Sequence, residues 1–153
     1  MPQEPVHYHE RVVRFGECDP AGVVYYPVFF HWFHEAMEHW FETAVGVPYA
    51  EVLQQTGFPA VRTEADFKQP CRLGERLHVR VAVERMGGRS LSLGFTIAGA
   101  EDGTIRATGK TICVCIPSAG DGFAFSSAAI PPDLRAKIQA ATECPGSTAA
   151  SPE

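Results

Sequence analysis

The run VYYPVFFHWFHEAMEHWFETAV, residues 24–45, decides the fold. Phe29, Phe33, Ala36, Trp40 and Ala44 fall on one stripe at helical spacing, with Trp32, Met37 and Phe41 at its margins. His31, Glu35, Glu38 and Glu42 fall on the opposite side. The spacing predicts one helix about 33 Å long at 1.5 Å rise per residue. Its apolar face is rich in aromatic rings, so a broad surface must cover it. Gly46 and Pro48 end this helix, and residues 49–55 predict a short second one closed by Gly57.

Working outward, residues 8–15 hold Val12, Val13 and Phe15 in a β-prone run that ends at Gly16. Downstream, Leu77, Val79, Val81 and Val83 alternate with His78, Arg80, Ala82 and Glu84. Leu91, Leu93, Phe95 and Ile97 alternate with small or polar residues. Between these strands Gly87 and Gly88 are expected to supply the positive φ of a tight hairpin. Gly103 does the same before a strand expected over 105–116. Residues 60–68 predict an edge or interface strand, because Arg62, Glu64 and Asp66 break its alternation. A helix is expected over 132–141, with Asp133 near its start. Strand, long helix, then hairpin-linked strands predict an α+β protein: one antiparallel sheet wrapped around one helix. Residues 1–143 form one domain on this reading, and 144–153 a frayed tail.

A chain of 153 residues suits one core and leaves no room for a separate cofactor domain. Net charge is −5, which excludes a general attraction to DNA, RNA or an anionic membrane. No apolar run approaches the ~20 residues that cross a bilayer, and residues 1–10 lack the pattern of a signal peptide. A cytoplasmic protein is expected. The five cysteines, Cys18, Cys71, Cys113, Cys115 and Cys144, are odd in number and unpaired in spacing, which favours reduced thiols.

The segment FGECDPAGVVYYP, residues 15–27, leads into the helix. An Asp before Pro-x-Gly has a ready structural role as a cap for backbone N–H groups. The continuous stretch Gly16 to Val24, however, resembles the 4-hydroxybenzoyl-CoA thioesterase family of hotdog proteins, whose signature is G-[DE]-C-D-P-A-G-[IV]-V. A weaker resemblance in strand and turn order covers residues 8–117. The resemblance implies a hotdog fold and hydrolysis of an acyl-CoA, with Asp19 as the catalytic carboxylate, acting as nucleophile or as general base. It implies that the backbone N–H groups of Gly22, Val23, Val24, Tyr25 and Tyr26 polarise the thioester carbonyl, a role that suits the positive pole of a helix. Tyr26 matches a residue near the acyl pocket, as a gate for water or substrate, whereas Tyr25 is read as packing at the helix entrance. His34 stands where a related branch has a glutamate.

The resemblance further implies an aromatic acyl group of benzoyl or hydroxybenzoyl type, no cofactor beyond the CoA of the substrate, and a homodimer that pairs again into a homotetramer. An edge strand in so small a chain points to dimerisation independently. Arg89 and Ser90 correspond to a CoA-contacting element of the family, with Arg62, Lys68 and Arg72 as further cations for CoA phosphates. Glu64 and Asp66 are available as a second carboxylate, and surface ion pairing is the alternative for both. His31, His34, Glu35, Glu38 and His39 are read as solvated i,i+4 neighbours, with no metal assigned. Competing readings are a short- or medium-chain aliphatic acyl-CoA or acyl-carrier-protein thioesterase, a non-catalytic acyl-CoA-binding module, and a dehydratase. The histidine pattern of a dehydratase is absent, and a binding module has no need of Asp19.

Overall fold

The computed structural model describes residues 7–119 and 121–142; the expected tail falls outside them. Strand β1 (Tyr8–Val12) is followed by a single 3-10 turn at Phe15–Glu17. Helix α1 (Pro27–Trp40) has 14 residues, and a π-helical turn, Phe41–Val45, carries it on to Gly46. The helix therefore starts later than residue 24. Val24 is held extended by a bridge to Cys18, and Val23 by a bridge to Arg72. Proline then suits the first helical position, where its missing N–H leaves nothing unpaired. At the far end Gly46 takes φ 88°, the left-handed cap expected of it.

Next come α2 (Tyr49–Gln55), β2 (Thr56–Gly57), β3 (Ala60–Phe67), β4 (Arg76–Met86), β5 (Ser90–Gly99), β6 (Ile105–Val114), β7 (Ile116–Ala119), β8 (Gly122–Phe123) and α3 (Pro132–Thr142). The main sheet has five strands in the order β1-β4-β5-β6-β3, every pair antiparallel. β3 is an edge, as its broken alternation predicts. The strand expected over 105–116 divides at Cys115, whose N–H donates to the Arg89 carbonyl at 2.8 Å as the last bond to the β5 side. Ile116 then pairs with Gly57 in a smaller sheet, β2-β7-β8.

The β4–β5 hairpin corrects an expectation. Positive φ belongs to Gly22, Gly46, Gly74 and Gly103, and not to Gly87 or Gly88. A Cβ added at Gly87 would lie 2.8 Å from Ser90 Oγ, a hydroxyl that can rotate aside. Arg135 of α3 donates to the Gly87 and Gly88 carbonyls at 2.6 and 3.2 Å and so closes the turn.

Leu77, Val79, Val81, Leu91, Leu93, Phe95 and Ile97 are buried beneath α1, where Phe33 stacks on Phe95 with centroids 4.7 Å apart. Trp32 and Phe41, expected at the margins, are fully enclosed. Arg11 of β1 covers the Trp32 ring at 4.6 Å, so β1 closes a side of the helix that the stripe alone leaves open. The helix and β3 run in opposite directions. Phe29 and Phe30, near the start of α1, meet Phe67 at the end of β3.

Gly109 of β6 lies under the Phe33 ring, where an added Cβ would overlap the ring and approach the Glu64 carbonyl to 3.0 Å. Phe33 is held there by its stack on Phe95, the cross-strand neighbour of Gly109. Gly109→Ala is therefore expected to destabilise the fold by about 1–3 kcal/mol, the range for an overpacked core. Chemical denaturation of the variant checks this.

Candidate active site at the start of the aromatic helix

Two strips of chain hold the turn before α1. On one side, Val24 N–H donates to the Cys71 carbonyl at 2.9 Å. The strip around Cys71 is itself fixed: Lys68 and Gln69 N–H donate to the Arg106 carbonyl, and Arg106 pairs with Glu75 at 2.7 Å. On the other side, Glu17 is a hub. Its carboxylate accepts from Arg14 N–H at 2.8 Å and from the Trp32 indole at 3.0 Å, and it pairs with Arg11, which also pairs with Glu35. Sequence reasoning missed this network, although an arginine on β1 and a tryptophan at the stripe margin were its available signals.

Within the turn, Asp19 N–H donates to the Val23 carbonyl and Gly22 N–H to the Asp19 carbonyl, both at 2.9 Å. Gly22 takes φ 82°, a conformation that excludes most side chains. Asp19 is half-buried. Its Oδ1 accepts from Ala21 N–H at 2.8 Å, an Asx turn, while Oδ2 has no hydrogen-bond partner among the described residues. The capping role is thus real but local. It uses one carboxylate oxygen, and α1 has no side-chain cap.

The carbonyl-polarising set narrows. Gly22, Val24 and Tyr25 N–H donate to the carbonyls of Asp19, Cys71 and Glu17. Pro27 has no N–H, and the next two helical N–H groups go to Tyr25 and Tyr26 carbonyls. Among the described residues, Val23 and Tyr26 N–H remain without an acceptor. Tyr26 is two-thirds exposed and lines a cavity of about 320 Å³ with Phe29, Phe67 and Lys68. Tyr25 is 46% exposed rather than packed at the helix entrance.

The residues expected to meet CoA are not gathered in one chain. Lys68 adjoins Tyr26 at the Phe67 end of β3. Arg89 and Ser90 lie at the opposite end of the sheet, where Ser90 pairs with Val114 and Ala60 with Cys113. Arg89 donates to Ser127 Oγ at 3.2 Å. Arg62 pairs with Glu64 at 3.0 Å, and Glu64 and Asp66 line a trough with Arg80, Glu84 and Lys110. These alternate along β3 with Thr63 and Phe67, which face the helix side. The two acids therefore lie on the face of β3 away from α1, where Glu64 is ion-paired with Arg62.

A second cavity of about 510 Å³ opens between α1 and the Ala60 end of β3, and Phe30, Phe33, His34 and Met37 of α1 line it. Burial pushes the Cys113 thiol on its wall up to about 11, and Cys71 up to about 12. Neither sulfur is a thiolate nucleophile at neutral pH. His31–Glu35 and His34–Glu38 are i,i+4 pairs at 3.3 and 2.9 Å.

Residues 13–138 match the family model of the thioesterase-like superfamily, and the chain belongs to that family. It is 33% identical over 93 residues to a 1,4-dihydroxy-2-naphthoyl-CoA hydrolase of Prochlorococcus marinus (strain MIT 9303), a match that covers 56% of this chain and 62% of that relative. A solved gentisyl-coenzyme A thioesterase is 28% identical with a TM-score of 0.74, covering 84% of this chain and 99% of its own. A solved 4-hydroxybenzoyl CoA thioesterase variant reaches a TM-score of 0.73 at 19% identity, over 86% of this chain and 96% of its own, a likeness of fold alone. Among the described residues, no helix is long and apolar enough to cross a membrane.

Proposed function

We propose that this protein hydrolyses an acyl-CoA thioester to the free acid and CoA, with Asp19 as its catalytic carboxylate. The observation that carries the reading is the state of that carboxylate: Oδ1 is fixed by the Ala21 N–H, and Oδ2 is left without a partner among the described residues. A carboxylate so held can attack the thioester carbon, forming a mixed anhydride and expelling CoA thiolate, after which water cleaves the anhydride to the free acid and restores the Asp19 carboxylate. It can equally take a proton from a water that attacks in its place. On either route the carbonyl oxygen gains negative charge, and the Val23 and Tyr26 N–H groups are donors for it. A thiolate leaves readily, so the CoA of the substrate is the only cofactor group in this scheme. The aromatic rings around the helix, and relatives named for naphthoyl- and gentisyl-CoA, support an aromatic acyl group of benzoyl or hydroxybenzoyl type.

The reading includes a cytoplasmic homodimer, pairing again into a tetramer. β3 has one partner, β6, and so offers a free edge. Two such edges joined antiparallel would bring the Ala60 end of one copy to the Phe67 end of the other. Arg89 and Ser90 of one copy would then approach Lys68 and Asp19 of the second, a composite set of donors for CoA phosphates, with Arg62 nearby on β3.

The test is a panel of aryl-CoA, alkyl-CoA and acyl-carrier-protein thioesters, with released thiol followed by a colorimetric reagent. Aryl-CoA thioesters are expected to be cleaved with the highest kcat/KM. Tight CoA binding with no turnover on any thioester would instead support a binding module.

A further inference from the structure

We propose that Arg106 is a positioning residue for the reaction: its guanidinium clamps both ends of the strap 69–75, and the strap holds Val23 and Val24 straight so that the Val23 N–H faces the thioester oxygen. The proposal rests on the thioesterase reading above and adds a residue to the control of that same site. Arg106 belongs to β6 and is only 8% exposed. Its Nη1 donates to Gln69 Oε1 at 3.2 Å and its Nη2 to Glu75 Oε2 at 2.7 Å. One side chain thus ties the first residue of the strap to the last. The Arg106 backbone adds to the grip, because its carbonyl accepts the Lys68 and Gln69 N–H groups at 2.8 and 3.0 Å. At the other end, Glu75 Oε1 accepts the Arg72 N–H at 2.6 Å, and the Glu75 carbonyl accepts the Val13 N–H at 2.9 Å.

The middle of the strap meets the Asp19 turn. The Cys71 carbonyl accepts the Val24 N–H at 2.9 Å, and Arg72 bridges Val23. These contacts keep residues 23 and 24 extended. An extended Val23 holds its N–H outside the hydrogen-bond ladder of α1, where it can meet developing negative charge. The chain of contacts therefore runs from a buried guanidinium, through the strap, to a donor for the thioester oxygen.

Stability alone does not call for an arginine here. Burying a guanidinium costs solvation, and Arg106 Nε has no partner among the described residues. An apolar side chain of similar volume can hold such a position equally well. Asp102, 3.6 Å from Nη2, is well solvated and adds little. What an apolar chain or a lysine lacks is the planar fork that reaches two acceptors at once.

The test applies steady-state thiol release and amide hydrogen exchange to the wild type and Arg106→Lys. The lysine keeps a cation for Glu75, but its single ammonium on a flexible stem does not hold both ends of the strap. Arg106→Lys is expected to lower kcat by about 10–100-fold, the scale of a small displacement far from the chemistry, with KM nearly unchanged. Exchange of the Val24 N–H should quicken by about tenfold, while amides of the central strand β5 keep their protection. Gln69→Ala releases one end of the clamp and leaves the Arg106–Glu75 pair. It is expected to move kcat and Val24 exchange the same way by a smaller factor, and it serves where Arg106→Lys does not fold. Val24 exchange at the wild-type rate, exchange that rises equally throughout the sheet, or a change in KM alone overturns the proposal. So does an unchanged kcat in a variant whose Val24 exchange has risen. Should the wild type cleave no thioester, the thioesterase reading fails separately. The clamp then stands on quickened Val24 exchange and falls without it.

Discussion

Asp19→Asn is expected to lower kcat for thioester hydrolysis by about 10³-fold or more, with the fold intact. General acid–base help alone contributes about 10²–10⁴, and a lost covalent route removes more. The asparagine side chain keeps an oxygen to accept the Ala21 N–H, so the Asx turn that shapes residues 19–22 survives. What the amide lacks is the anionic oxygen that attacks carbon or receives a proton. Because the turn is also held by Gly22 N–H on the Asp19 carbonyl and Val24 N–H on the Cys71 carbonyl, the unfolding midpoint should stay near that of the wild type. Steady-state release of thiol, paired with a thermal melt, separates the two effects. Undiminished turnover in a well-folded Asp19→Asn protein would sink the mechanism.

The fold was legible where one residue type had one use. Gly46 closes the aromatic helix in the left-handed conformation, and Gly103 turns the β5–β6 hairpin as its neighbours suggest. It was less legible where tertiary contacts chose among local options. Val23 and Val24 continue a helical pattern by composition, yet backbone bridges to Arg72 and Cys18 pull them straight. Gly87 and Gly88 have the look of a positive-φ turn, but Arg135, far along the chain, binds their carbonyls in another conformation. At the site, a motif can point to Asp19 as the carboxylate, but not to which N–H groups stay free. That depends on pairing with residues 71 and 72, which no local pattern specifies. The apolar cavity was illegible for the same reason. His34 has the spacing of an ordinary surface pair with Glu38, and its second neighbour, Tyr49, arrives from α2 only when the chain folds back.

The Arg11 network makes the second large prediction, because it joins stability to the geometry of the Asp19 turn. Arg11 is 11% exposed, pairs with Glu17 and Glu35, and lies over the Trp32 ring. Its Nε is buried without a partner among the described residues, so the wild-type network already carries an unmet cost. The pair therefore adds less than its contacts suggest, but breaking it leaves Glu17, 18% exposed, as an uncompensated charge. Glu35 is better solvated and keeps His31 at 3.3 Å, so its share is small. Arg11→Met, which keeps apolar cover on Trp32, is expected to cost about 3 kcal/mol, nearly all of it from stranding Glu17. That corresponds to a Tm lower by roughly 10 °C for a chain of this size. Adding Glu17→Gln removes the stranded charge, and its one side-chain oxygen keeps one of the two bonds that the carboxylate accepts on separate oxygens, from Arg14 N–H and from the Trp32 indole. The double variant should therefore be more stable than Arg11→Met alone, a coupling that a double-mutant cycle reads directly. Glu17 is two residues from Asp19 and its carbonyl accepts Tyr25 N–H, so loosening it should lower kcat more than it raises KM. Equal stability losses in Arg11→Met and the double variant would show that packing on Trp32, and not the stranded carboxylate, carries the cost.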